Sequence, residues 1–231
     1  MKNMIGSVPA EDLRLAGMLE DVMHKLRKGG LTLDELDSFR QRKNPFVTVN
    51  EVSTEWERFY FKLFGHTVHL ADVQLPKPKK GFDRLILVPK GLTMNQVVVV
   101  MREHFQVWLY TEDLDSSITI NDRVPTETYP IRIRNRPEAD EELKNLSAND
   151  LKAKNINGMT LWERLIFELK YYDETGKHLD LNNRTLCSGS RYSGGSVPGV
   201  YWSSCYSKLY VDGYDADCAN SDIRARAVVT L

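Results

Sequence analysis

His66 and His69, in GHTVHL, have the donor atoms for a metal ion, but no acidic residue stands between them and no third ligand is near in sequence. Zinc needs three or four converging ligands, so no metal site is expected there. The carboxylate groups Asp34 to Arg40, Glu112 to Asp115 and Glu138 to Glu142 could supply acid–base chemistry only if an apolar pocket moved a pKa. No such pocket is written around them, and they read as helix starts and solvated faces. Ser188 and Ser190 flank Gly189 without forming a GxSxG elbow, and no histidine is close by. Cys187, Cys205 and Cys218 are odd in number, absent upstream and without CxxC spacing, which argues against a disulfide framework and against a metal or redox site. The expectation is a protein that is not an enzyme and carries no cofactor.

Recognition chemistry is better represented. From Ser203 to Asp222 the chain reads SSCYSKLYVDGYDADCANSD, with no Glu, Gln, Met or Trp and one Lys, although the upstream chain is rich in Glu and Lys. Half of the ten tyrosines, Tyr192, Tyr201, Tyr206, Tyr210 and Tyr214, fall after Cys187. Tyr supplies stiff, amphipathic contact area, and Ser, Gly, Asn and Asp supply adaptable hydrogen bonds, the division of labour of antibody loops. Turns alone would explain the small polar residues. They do not explain the aromatics, because Tyr belongs by habit to strands and cores.

The elements that must position these residues follow from periodicity. Leu13, Leu15, Met18, Leu19, Val22, Met23 and Leu26 recur at helical spacing within a block from Val8 to about Arg42, closed by Gly29-Gly30. Thr32 with Glu35 makes a capping box for a second helix toward Phe39, and Arg40 to Lys43 forms its basic end. A helix from Ser53 to Phe64 carries the stripe Trp56, Phe59, Tyr60, Leu63 and Phe64, read as core. Phe82–Val88, Thr93–Phe105 with Val97 to Val100 buried, and Gln106–Thr111 predict a strand, helix, strand unit. Its connecting turn lacks a phosphate-binding GxxxxGK, so nucleotide binding is not expected.

Tyr129 to Arg134 alternates as a half-buried strand, Glu138 to Asn145 reads as an acidic helix and Ser147 opens a short helical turn. Thr160 with Glu163 caps a helix from Leu161 to Tyr172. Short strands are expected at Thr185–Cys187, Val200–Trp202, Leu209–Val211 and Ile223–Val229, the last placing Ile223, Ala225, Ala227 and Val229 on one face and Arg224, Arg226 and Val228 on the other.

CSGSRYSGGSVPGVYW, followed by KLYV and IRARAVV, resembles the C-terminal variable domain of proteins diversified by diversity-generating retroelements, whose fold is C-type lectin-like. To the helical N-terminal region over 1–65 and the small α/β segment over 66–124 read from periodicity, the resemblance adds a C-type lectin-like ligand-binding domain over 125–231, so the expected class is α+β. In such systems adenine-directed mutagenesis of AAC-type codons does not reach Lys, Gln, Glu, Met or Trp, the types scarce between Ser203 and Asp222. The implied variable, ligand-binding residues are Ser188, Tyr192, Tyr201, Ser203, Ser204, Cys205, Tyr206, Ser207, Tyr210, Asp212, Tyr214, Asp215, Asp217, Cys218, Asn220 and Ser221. Trp202, Leu209, Val211, Arg224 and Arg226 are the implied scaffold. Formylglycine-generating enzymes share the fold, so an enzyme on it is the alternative, and an adaptor acting through the N-terminal helices is a third. The EPN- or QPD-type calcium motifs of sugar-binding lectins are absent.

With 31 basic and 32 acidic residues the chain shows no overall nucleic-acid or anionic-membrane footprint. It has no apolar run long enough to span a bilayer and no secretory signal, so a cytoplasmic protein without membrane insertion is expected. The expected partner is a protein or other macromolecule bound through the variable face. Composition fixes neither its identity nor an oligomeric state.

Overall fold

The computed structural model describes residues 10–40, 49–70 and 73–231. The chain divides into two compact units, Met1–Val52 and Ser53–Leu231. The expected boundaries at 65/66 and 124/125 both fall inside the second.

In the first unit α1 (Ala10–Lys28) and α2 (Leu33–Arg40) form as their spacing predicts. Gly29 takes a left-handed φ of 72° just past α1, where a side chain would be strained. Leu15, Met18, Leu19 and Met23 of α1 are exposed. The expected start at Val8, most of the Arg40 to Lys43 tract, and the side chains of Leu13, Glu35 and Phe39 lie outside what is described.

The second unit takes over α3 (Val49–Phe64) from Ser53 onward. Trp56, Phe59 and Tyr60 are 1–3% exposed and pack edge on or tilted against one another, as the stripe predicts. Then come β1 (Arg84–Val88), α4 (Met94–His104), β2 (Gln106–Leu109), α5 (Leu114–Ser117), β3 (Ile118–Asn121) and β4 (Tyr129–Ile133). They are followed by α6 (Ala148–Ala153), α7 (Leu161–Thr175), β5 (Arg184–Leu186), β6 (Ser190–Tyr192), β7 (Val197–Ser203), β8 (Lys208–Tyr214) and β9 (Ile223–Arg224). The class is mixed α+β.

Among the described residues the strands form three sheets: β1 with β4, β3 with β6, and a five-stranded sheet in the order β2, β8, β7, β5, β9. The expected strand, helix, strand unit is present in chain order, and its two strands belong to different sheets. β1 runs antiparallel to β4, whereas β2 runs parallel to β8, Gln106 facing Lys208 and Leu109 facing Val211. Each strand is short, so its pairing is settled by which later strand is brought alongside to complete its backbone hydrogen bonds. Val99 of α4, expected buried with its neighbours, is 59% exposed.

Helix starts follow local chemistry closely. Thr93 with Gln96, Ser147 with Asp150, and Thr160 with Glu163 each form a complete capping box, satisfying donors that a helix N-terminus leaves unpaired. The acidic helix expected over Glu138–Asn145 shrinks to one 3₁₀ turn, Glu141–Leu143. Its acids are spent elsewhere: Asp140 accepts from the Ala227 amide at 2.8 Å, and Glu138 accepts from the amides of Leu181 and Asn182.

Beneath the sheet Arg164, Glu168, Asp180 and Arg226 form a charge network at most 1% exposed. Asp180 holds Arg164 at 2.9 Å and Arg226 at 2.7 Å, in a left-handed backbone with φ 54°. Removing one member of such a network leaves an uncompensated buried charge, a loss of roughly 3–5 kcal/mol. Arg226 also donates to the carbonyls of Arg136 and Pro137 at 2.8 and 2.9 Å. This inward turn ends the alternation expected from Ile223 to Val229: β9 stops at Arg224, and Ala227 and Val229 make only isolated bridges to Gly158 and Arg132.

Candidate ligand-binding face

The hairpin of β7 and β8 has one face in the core and one toward solvent. Val200, Leu209 and Val211 are fully buried, as alternation on a half-covered sheet requires. The opposite face carries Tyr201 and Tyr210, directly opposed in register, with ring centroids 5.3 Å apart and planes 10° from parallel. At that spacing the rings stand up from the sheet. They offer edges and hydroxyls outward and keep the facing surfaces for each other.

The row extends across neighbouring strands. Trp108 of β2 is in register with Tyr210 and lies 5.4 Å from its ring. Arg184 of β5 sits 4.6 Å over Tyr201 and donates to the Tyr214 hydroxyl at 2.6 Å. Tyr206, 68% exposed in the turn between β7 and β8, meets Tyr210 edge on at 6.3 Å. Trp108, Tyr210, Tyr201 and Arg184 thus form one band across four strands, with Ser203, Ser204, Cys205, Tyr206 and Ser207 at its rim.

The other end of this face is covered. Val197, Leu186, Ile223 and Ala148 form a buried cluster, and Tyr214, Ala216 and Cys218 pack against it. The Tyr214 ring lies over Gly199, where an added Cβ would come within 2.3 Å of it. Burial pushes the Tyr214 hydroxyl up to about 12, against the opposing pull of Arg184. Asp215, Asp217, Asn220 and Ser221 are exposed on the rim of this cover. Asp217 is tied to the Asn149 side chain at 2.6 Å. Asp212 is half-buried and accepts from the Gly213 amide at 3.0 Å.

Two of the sequence-implied residues stand apart. Tyr192 on β6 is 4% exposed, packs against Tyr110, and donates to the Asp212 carbonyl at 3.4 Å. It supports the face from beneath, and burial raises its pKa. Ser188 has a buried hydroxyl without a hydrogen-bond partner, turned so closely on Gly158 that a Cβ there would meet it at 1.8 Å. Neither is displayed with the tyrosine row.

Of the implied scaffold, Leu209, Val211 and Arg226 are buried, while Trp202 and Arg224 are half-buried. Trp202 stacks on His178 at 3.3 Å and 4°. All three cysteines are free; Cys187 is buried and Cys205 exposed. Among the described residues no cluster of three or more His, Cys, Asp or Glu could hold a metal ion, and no helix is long and apolar enough to cross a membrane.

Trp108 and Arg184 were not singled out from the sequence. The alternation of Trp108 and Tyr110 in QVWLY marked an aromatic strand face. Its neighbour, β8, lies about a hundred residues on in the chain and carries no local signal. The chain matches no protein-family model, no curated protein and no solved structure.

Proposed function

We propose that this is a non-catalytic binding protein whose face around Tyr201 and Tyr210 takes a protein or other macromolecule, on a C-type lectin-like scaffold of the retroelement-diversified kind. The observation that carries the reading is the row Trp108, Tyr210, Tyr201, Arg184, borne on strands whose opposite face is core. Exchanging an outward side chain on such a strand leaves Val200, Leu209 and Val211 in place, so surface chemistry changes while the backbone stays fixed.

Sugars and bases stack on flat aromatic faces. Here Tyr201 and Tyr210 turn those faces to each other, and edges and hydroxyls among short polar residues suit an irregular protein surface. The lectin-like part of the reading draws support from chain order: the early strand β4, helices α6 and α7, then the antiparallel strands β5, β7 and β8. Val229 bridges back to Arg132 on β4.

A library randomised at Tyr201, Ser203 to Ser207 and Tyr210, displayed on yeast and selected against unrelated folded proteins, tests the reading. Binders should emerge with melting temperatures near that of the parent. A library that largely unfolds, or folds and yields none, defeats it. The diversification half has its own check: a neighbouring reverse transcriptase gene and a template repeat matching the codons from Cys187 to Asp222 except at adenines.

A further inference from the structure

Away from the tyrosine row, β3, the turn before β6, and α6 with the residues after it enclose a cavity of about 500 Å³. That is within the usual range for small-molecule sites. Its walls are of two kinds. Leu151, Ile156 and Ile120 are apolar; Arg191, Lys152 and Asp122 are charged.

Arg191 is one of two half-buried arginines, with Arg132, that form no ion pair among the described residues, and of the two it is the one that lines this cavity. One of its terminal nitrogens donates to the carbonyls of Ser188 and Ser190, at 2.6 and 2.8 Å, which fixes the guanidinium at the cavity wall. Among the described residues no carboxylate lies within ion-pair distance of it. Arg84, Arg123, Arg134, Arg184 and Arg224 all have such a partner. Burial lowers the pKa of Arg191, and the nearby Asp122 only partly opposes this. Lys152 on α6 likewise has no ion pair among the described residues and lines the same space.

Two cations without carboxylate partners, one held rigidly at a half-enclosed and partly apolar cavity, lack an anion with an apolar body. We propose that this cavity is a second binding site, for a small aliphatic carboxylate. The carboxylate pairs with Arg191 and Lys152, and the chain lies against Leu151, Ile156 and Ile120. Asp122, close to Arg191 but not paired with it, would add an ammonium contact if the ligand is an amino acid. The proposal is independent of the reading of the sheet face.

Titrating 4-methylpentanoate into the isotope-labelled full chain should shift the amides of Gly189, Arg191 and Asn157 saturably. Arg191→Met should weaken binding at least about tenfold and the exposed Lys152→Met by about threefold to tenfold, the scale of charge-assisted hydrogen bonds. Lys152→Met keeps the test decisive should Arg191→Met fail to fold. Absence of saturable shifts, or undiminished binding in these variants, overturns the site. Inorganic phosphate binding as tightly as 4-methylpentanoate overturns the aliphatic assignment. L-Leucine shares the carbon skeleton and adds an α-ammonium. Tighter binding that is lost in Asp122→Asn assigns an amino acid; binding no tighter assigns the simple acid.

Discussion

Tyr201 and Tyr210 stand ring to ring across the β7–β8 ladder, 5.3 Å between centroids. Their chain neighbours point the other way: Leu209 and Val211 into the core, and Trp202 onto His178. At the turn end of the hairpin a single strand register therefore separates what can be exchanged from what cannot.

For any ligand selected on this face, Tyr201→Ala combined with Tyr210→Ala should raise Kd by about a hundredfold or more, as loss of paired hot spots does. The stability cost should be only about 1–2 kcal/mol, the worth of a cross-strand aromatic pair. Calorimetric melting beside a binding titration separates the two; a loss above about 4 kcal/mol would make the pair core.

Tyr214 and Tyr206 should part company. Tyr214 packs on the Val197 cluster and holds Arg184, so Tyr214→Ala should cost about 2–4 kcal/mol. Tyr206 is 68% exposed, and Tyr206→Ala should lie within about 0.5 kcal/mol of the parent. Urea melts of the two variants give the comparison, and equal values would contradict this placement.

Gly158 and Ser188 should be coupled. Gly158→Ala puts a methyl 1.8 Å from the Ser188 hydroxyl and should cost about 1–3 kcal/mol by overpacking. Ser188→Ala removes a buried hydroxyl that has no partner and should be near neutral. In the double variant part of the loss should return, leaving a coupling energy of about 1 kcal/mol in a double-mutant cycle. Simple additivity would show that the two do not meet.

Cys187 should behave as a silent thiol. Burial pushes its pKa up to about 12, against the opposing pull of Arg164. An unfolded thiol ionises at about 8.5. The folded state therefore keeps a proton that the unfolded state loses, and the resulting stability is present below that pH and lost as pH rises toward 12. At pH ~8 a thiol reagent should label exposed Cys205 at once and Cys187 only on unfolding. Cys187→Ala should flatten the alkaline fall in Tm. Rapid labelling of native Cys187 would reverse this and reopen the case for a nucleophile.

Much of the larger unit was legible residue by residue. Thr160 and Glu163 announce the start of α7 because a capping box is a contact within one turn. Trp56, Phe59 and Tyr60 announce a buried helix face because helical spacing brings them together without help. The short antiparallel pair β3 and β6 was missed, since neither four residues nor three carry a readable period.

The sequence alone determined the longer helices, with the cap of α7, and the strands of the β7–β8 hairpin with Tyr201 and Tyr210 away from Leu209 and Val211, since each depends on neighbours within a few residues. Tertiary structure decided the rest. It set β2 beside β8, bringing Trp108 to Tyr210, and drew Arg226 inward to Asp180. It also buried Tyr192 and covered Tyr214. These outcomes rest on pairing and burial between distant segments, whose free energy belongs to both partners and is visible in neither.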